Sequence, residues 1–214
     1  MTVSGPGQPD EHPGARTRLG DRVHLRPLRP NDYPLFYEAE LSPPDDVLYR
    51  HRGGTPSYEA YPETLWRNVV AQFVIADRGD DSALGLTAAY EPNFRDGHAR
   101  IAVHILQPYR TLGWPLDGLR LFINHLFYAF PFRKLYADVL EPNLEQFGSG
   151  FPGLLQEEAR FHEHSYLDGG YVDLIVLALY RDTWVGDARL AHGTSGLAQR
   201  LRAAEASIGT GAHR

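Results

Sequence analysis

Residues 98–130 read HARIAVHILQPYRTLGWPLDGLRLFINHLFYAF, and this stretch decides the fold. It begins as a strand. Ile101, Val103 and Ile105 alternate with Arg100, Ala102 and His104, the period of two that sends successive side chains to opposite faces of a sheet. It ends as a helix, because Leu119, Phe122, Ile123, Leu126, Phe127 and Phe130 recur at the three-and-four spacing of one buried face, while Arg120 and Asn124 fall elsewhere on the wheel. Residues 107–114 between them form a short polar turn containing Gly113. A strand that turns tightly into a helix points the unbonded amides of the first helical turn out of the sheet, where they attract anions such as phosphate. The spacing therefore predicts a ligand at this turn.

Composition narrows the class. A chain of 214 residues with 43% hydrophobic residues can bury one sizeable core, so a single domain with tails is expected. The absence of cysteine excludes disulfides, thiolate zinc sites and cysteine nucleophiles. Residues 1–20 lack the apolar core of a signal peptide and no later run is long enough to span a membrane, which predicts a cytoplasmic protein without a membrane partner. With a formal net charge of −6 the chain has no electrostatic footprint for nucleic acid, and a small or peptidic partner is expected instead.

Working outward, residues 1–20 are rich in Pro, Gly and charge and read as a disordered leader. Val23 and Leu25 give a first strand, after which Asn31 caps a helix turning Leu35, Phe36 and Ala39 inward. Residues 42–56 form a long Pro-rich loop, either a substrate-side loop or a plain connection. Residues 58–70 have helical character, with Leu65, Trp66 and Val69 on one side. Phe73, Val74 and Ile75 form a buried strand; residues 83–90 form another, and Asp96-Gly97 folds it back on residues 98–106 as a hairpin. Beyond Pro131 come a strand at 134–140 and a short helix near Asn143, halted by FGSGFPG at 147–153. Strands at 155–166 and 171–180 follow, joined at Asp168-Gly169-Gly170. Residues 185–214 read as a flexible tail, with at most a short helix around Leu197 and Leu201. This order describes a mixed α/β (α+β) sheet with helices packed on it, and the hairpin argues against a doubly wound dinucleotide fold.

Three landmarks resemble the GNAT superfamily of acyl-CoA N-acyltransferases, and within it the branch that acetylates N-terminal amines of ribosomal proteins and related small amines. Tyr109-Arg110-Thr111-Leu112-Gly113-Trp114-Pro115 resembles the family's pyrophosphate loop. Glu141-Pro142-Asn143 is similar to the segment where the family has an Asn beside the pantetheine arm. EARFHEHSYLDGGYVDLIVLALYRDTW, residues 158–184, follows the branch's closing hairpin. The resemblance covers residues 21–184. It implies a mixed, mostly antiparallel twisted sheet of about seven strands with helices on both faces. It also implies transfer of an acetyl or other acyl group from acyl-CoA to a primary amine of a small molecule or peptide. Arg110, Thr111, Leu112, Gly113 and Trp114 would hold the pyrophosphate, backbone amides around Ile105, Leu106 and Gln107 the acyl end, and Asn143 the pantetheine. The strand before the loop would splay from the strand after the central helix to admit the thioester.

The sequence departs from the family pattern where the chemistry lies. Pro115 stands where the loop normally has Gly or Ala, and proline has no NH to give to phosphate. Arg100 occupies the strand position where many relatives carry a glutamate base, and an arginine cannot deprotonate an amine near neutral pH. The tyrosine that often protonates the departing thiolate would fall near Gly150. His104, on the same strand face as Arg100, is the replacement base that the sequence offers, or else a histidine that merely fills sheet surface. Glu141 is a second candidate. His162 and His164 share a strand face, but no third ligand stands at convincing spacing, so no metal is expected. Tyr58, Tyr61 and Trp66 line an acceptor pocket or form core. The missing acid and base keep a second reading open, a module that binds acyl-CoA or an acyl-carrier-protein thioester without efficient transfer. A scaffold using Leu112 and Trp114 as exposed contacts is a third, and monomer and homodimer are both compatible with the sequence.

Overall fold

In the computed structural model, residues 18–48, 50–145, 151 and 153–187 are described. The leader before residue 18, the tail after residue 187 and most of the FGSGFPG break lie outside them. Among the described residues, seven strands form one sheet in the order β1-β2-β3-β4-β5-β7-β6: β1 (Val23–Arg26), β2 (Val69–Asp77), β3 (Ala83–Asn93), β4 (His98–Ile105), β5 (Lys134–Leu140), β6 (Leu155–Leu167) and β7 (Gly170–Tyr180). Every neighbouring pair is antiparallel except β4 and β5. The helices are α1 (Tyr33–Leu41), α2 (Asp45–Leu48), α3 (Tyr61–Trp66), α4 (Leu116–Ala129) and α5 (Arg181–Gly186). Among the described residues no helix is long and apolar enough to cross a membrane.

The main core lies between the sheet and α4. Leu119, Phe122, Ile123, Leu126 and Phe127 are buried there, as their spacing requires. Gly118 lets the helix approach β2 closely, since a Cβ at that position would lie 2.5 Å from Ile75. Asn124 is buried as well, contrary to its place on the helical wheel. Its Oδ1 accepts from the Trp184 indole at 2.7 Å, so a polar residue enters the core already paired. Arg181 donates to the carbonyls of Phe127, Phe130 and Phe132, each at 2.7 Å, and so binds acceptors at the open C-terminal end of α4. These contacts give a physical role to the Arg181 and Trp184 of the closing segment.

A second cluster, containing Phe36, Tyr61, Leu65, Val74 and Leu86, packs α1 and α3 against the opposite face. Several expectations are corrected here. Leu35 is exposed, and the turn before α1 is tied by Asp32 rather than Asn31, its carboxylate accepting from the Arg29 amide at 2.7 Å and from the Arg26 guanidinium. Trp66 is exposed and Val69 belongs to β2, because α3 ends at Trp66 and the chain turns at once into the sheet. The 42–56 segment is not a plain loop but contains α2, whose first residue, Asp45, is 1% exposed.

What positions the site is a fork. Parallel pairing of β4 with β5 runs from His98↔Lys134 only to Arg100↔Tyr136. Beyond it, β4 stays paired with β3 as far as Gly85↔Ile105 and β5 stays paired with β7 as far as Leu140↔Leu174. Each strand thus keeps its outer neighbour while the inner edges part, which places the expected splay between residues 101–105 and 137–140.

Candidate active site

Alternation along the strands assigns the groups around the fork. On the face covered by α1 to α3 stand Leu86, Ala88 and Tyr90 of β3, Arg100, Ala102 and His104 of β4, and Tyr136, Asp138 and Leu140 of β5. At the closed end, Arg100 forms ion pairs with Asp138 and, at 3.1 Å, with Glu91. Burial raises the Asp138 carboxyl above the usual range and outweighs the opposing effect of Arg100. Burial, reinforced by the Asp138 charge, pushes the Tyr90 phenol up to about 12, so it stays protonated.

A second cluster joins α2 to the loop after β4. Asp45 of α2 accepts from His104 Nε2 at 2.9 Å and from Arg110 Nη2, while Arg110 Nε donates to the Ile105 carbonyl at 2.8 Å. Burial opposes the charge on Asp45, but the bonds from His104 and Arg110 prevail and hold its carboxyl below the usual range. The long 42–56 segment is fastened a second time by Glu40 of α1, which is 3.1 Å from Arg50 and 3.2 Å from His51. Burial lowers the His51 pKa against the attraction of Glu40.

These contacts revise the roles expected from the sequence. His104, on the β4 edge of the fork, is buried and bonded to Asp45. Glu141 is exposed beyond the end of β5 and faces Arg160 at 3.1 Å, and Asn143 is exposed on the 3-10 turn Glu141–Asn143. The loop is more closed than a row of free amides. Gln107–Leu112 winds into a 3-10 turn, the Leu106 amide donates to Leu84 at 2.9 Å, and the Trp114 and Leu116 amides donate to Leu112 and Gly113. Arg110 is turned toward Asp45 and Ile105, whereas Thr111, Leu112 and Gly113 are exposed. Gly113 has φ +70°, which a residue with a Cβ adopts only under strain. Trp114 lies under the Arg22 guanidinium, 4.4 Å from its ring centroid.

Tyr61 is core, whereas Tyr58 is exposed with its ring 5.2 Å from Tyr37. His162 pairs with Asp173 at 3.0 Å and His164 with Ser165, and among the described residues no group of three His, Cys, Asp or Glu could hold a metal. A shallow hollow of about 550 Å³ lined by Asn68, Val69, Val70, Glu91 and Pro92 opens at the β2–β3 bulge, where Glu91 also pairs with Arg100. Asp45 and Asp138 were missed by the sequence reading. Asp138 left one signal, a lone acid in the otherwise apolar run 135–140.

No protein-family model and no curated protein matches the chain, but solved structures do. A chimera of the spermidine N-acetyltransferase SpeG from Vibrio cholerae and hSSAT superposes with a TM-score of 0.67 at 18% identity, covering 78% of this chain and 100% of that one. The chain has the GNAT fold. The V. cholerae spermidine N-acetyltransferase in complex with CoA and spermine gives a TM-score of 0.62 at 20% identity, over 77% of this chain and 98% of its own. SpeG from the same organism with manganese ions gives 0.65 at 18% identity, over 78% and 97%. On the GNAT fold, the β4–β5 fork, the loop after β4 and the closing hairpin stand where the sequence resemblance placed them.

Proposed function

We propose that this chain is an N-acyltransferase that passes an acetyl or other acyl group from acyl-CoA to a primary amine, most simply that of a small molecule. The observation that carries this reading is the fork. Parallel pairing stops at Arg100↔Tyr136, and the separated inner edges of β4 and β5 leave a gap that an extended, amide-bearing ligand such as a pantetheine arm can enter as an added strand. A GNAT-fold neighbour in complex with CoA and spermine supports the same pair of substrates. In this proposal the pyrophosphate lies against residues 110–114, the pantetheine passes Asn143 and the backbone at Ile105 and Gln107, and the acyl end reaches into the fork toward Ala102. Leu106 contributes its side chain only, since its amide is taken by Leu84. The working unit is residues 21–184, acting in the cytoplasm as a monomer or homodimer.

The chemistry is direct attack. A neutral amine adds to the thioester carbon, and donors aimed at the developing oxyanion lower the barrier. Titration with CoA and acetyl-CoA should raise the melting temperature. Acetyl-CoA with an amine panel should then release free thiol; no shift and no release would sink the proposal. A binding module for acyl-CoA or a carrier-protein thioester is the second reading. It is favoured by Pro115 and by the missing glutamate and tyrosine of the family pattern, and it predicts a thermal shift without thiol release.

A further inference from the structure

The geometry points to Asp138 as the group that takes the proton from the acceptor amine, an assignment that rests on the transferase reading above. Its position is the first support. Pairing of β4 with β5 ends at Arg100↔Tyr136, so Asp138, two residues beyond Tyr136, is the first side chain of β5 on the acceptor-side face inside the fork. It sits in β5 between the buried Ala137 and Val139, yet its own side chain keeps 27% of its surface open. The next β4 residue on that face after Arg100 is Ala102, exposed and too small to block the approach of an amine. Of the other sequence candidates, His104 lies deeper along the same edge of the fork, buried on Asp45, and Glu141 lies beyond β5, held by Arg160.

The surroundings suit a base. Arg100 holds the carboxylate from β4 and is itself anchored by Glu91 of β3; Tyr90 of β3 and Arg52 of the segment between α2 and α3 complete the charged and titratable groups acting on Asp138. Burial raises the affinity of Asp138 for a proton, which brings it closer to the range useful in general-base catalysis. Arg100, at the position where the resemblance predicted a glutamate, steadies a carboxylate on the opposite strand instead.

The step balances. The ammonium form of the acceptor gives one proton to the Asp138 carboxylate, and the nitrogen lone pair of the neutral amine attacks the thioester carbon. The carbon–sulfur bond breaks with its electron pair on sulfur, the thiolate takes the second proton from nitrogen, and Asp138 returns its proton to solvent. Acyl thioester and ammonium become amide, free thiol and one proton.

The test uses the full chain, acetyl-CoA and whichever panel amine gives the fastest thiol release with the wild type. Asp138→Asn should lower kcat/KM by about 10²–10⁴-fold and abolish the ascending limb of its pH profile, with the CoA-induced thermal shift retained. Asp138→Glu, which keeps the carboxylate, should restore part of the rate. Wild-type-like turnover by a folded Asp138→Asn variant would overturn the assignment. Should that variant not fold, Arg100→Gln decides. Loss of the neighbouring cation must move the ascending limb to higher pH, and an unmoved limb would overturn the assignment equally. A wild type that neither binds CoA nor releases thiol defeats the transferase reading itself, a result distinct from either of these.

Discussion

Replacing Asp45 by alanine tests whether α2 is clamped to β4 and the loop after it. The carboxylate is 2% exposed as a side chain, and its Oδ2 is shared by His104 and Arg110. Removing one partner of a buried ion pair costs about 3–5 kcal/mol, because the other charge is left without compensation. Arg110 keeps 21% of its side chain in solvent and can turn part of its charge to water. The expected loss is therefore smaller, about 2–4 kcal/mol. For a domain of this size that lowers the melting temperature by roughly 4–16 °C. A cycle of Asp45→Ala, Arg110→Ala and the double variant, followed by urea denaturation, should show a coupling of about 1–3 kcal/mol. The sign of the pH effect is fixed as well. The Asp45 pKa is lowered in the fold, so its contribution is complete above the ordinary value of 3.8 and is lost as pH falls through the depressed one. The Asp45→Ala variant should lack that part of the acid dependence. Additive single-variant effects, or a melting temperature equal to the wild type, would refute the clamp.

Three further outcomes are expected. Gly118→Ala brings a Cβ to 2.5 Å from Ile75 and should cost about 1–3 kcal/mol in chemical denaturation, since α4 and β2 cannot separate without opening the core. Arg181→Ala removes three donors from carbonyls near the end of α4 and should destabilise by roughly 2–4 kcal/mol, with amide exchange rising first at residues 126–130. Bonds from Lys134 and Tyr180 lower the Glu158 carboxyl from 4.5 to about 2, so its stabilisation is present above 4.5 and disappears as pH falls toward 2. An acid titration of Glu158→Gln should lack that component, and an unchanged profile would show that the cluster does not matter.

The fold was legible because its signals are local. The period-two run of β4 and the three-and-four spacing of α4 each depend on residues a few positions apart, and their hydrophobic faces can be buried in few ways. The closing hairpin likewise reveals itself through Asp168-Gly169-Gly170 and the apolar run of β7. The misread positions depend on distant partners. Asn124 is buried only because Trp184 supplies a donor from the far end of the chain. Asp45 opens a helix too short to show a period, and its partners lie on β4 and on the following loop. The amides after β4 looked free because their bonds to Leu84, Leu112 and Gly113 follow from a strand pairing and a tightened turn that residue identities alone do not specify.

The same distinction applies to the charges at the fork. Two carboxylates facing each other across the end of the β4–β5 ladder would repel, and their mutual effect would keep one of them protonated. Arg100 relieves that conflict by pairing with both Asp138 and Glu91, so a carboxylate on β5 is compatible with a cation on β4. Read along the chain, Arg100 looks like the loss of a base and Asp138 like an isolated acid in an apolar strand. Read across the register Arg100↔Tyr136, they form one charge arrangement with its sign exchanged between strands. Under the Asp138 assignment, the missing glutamate of β4 does not stand against proton transfer at this fork, because that assignment places the carboxylate on the other side of the opening.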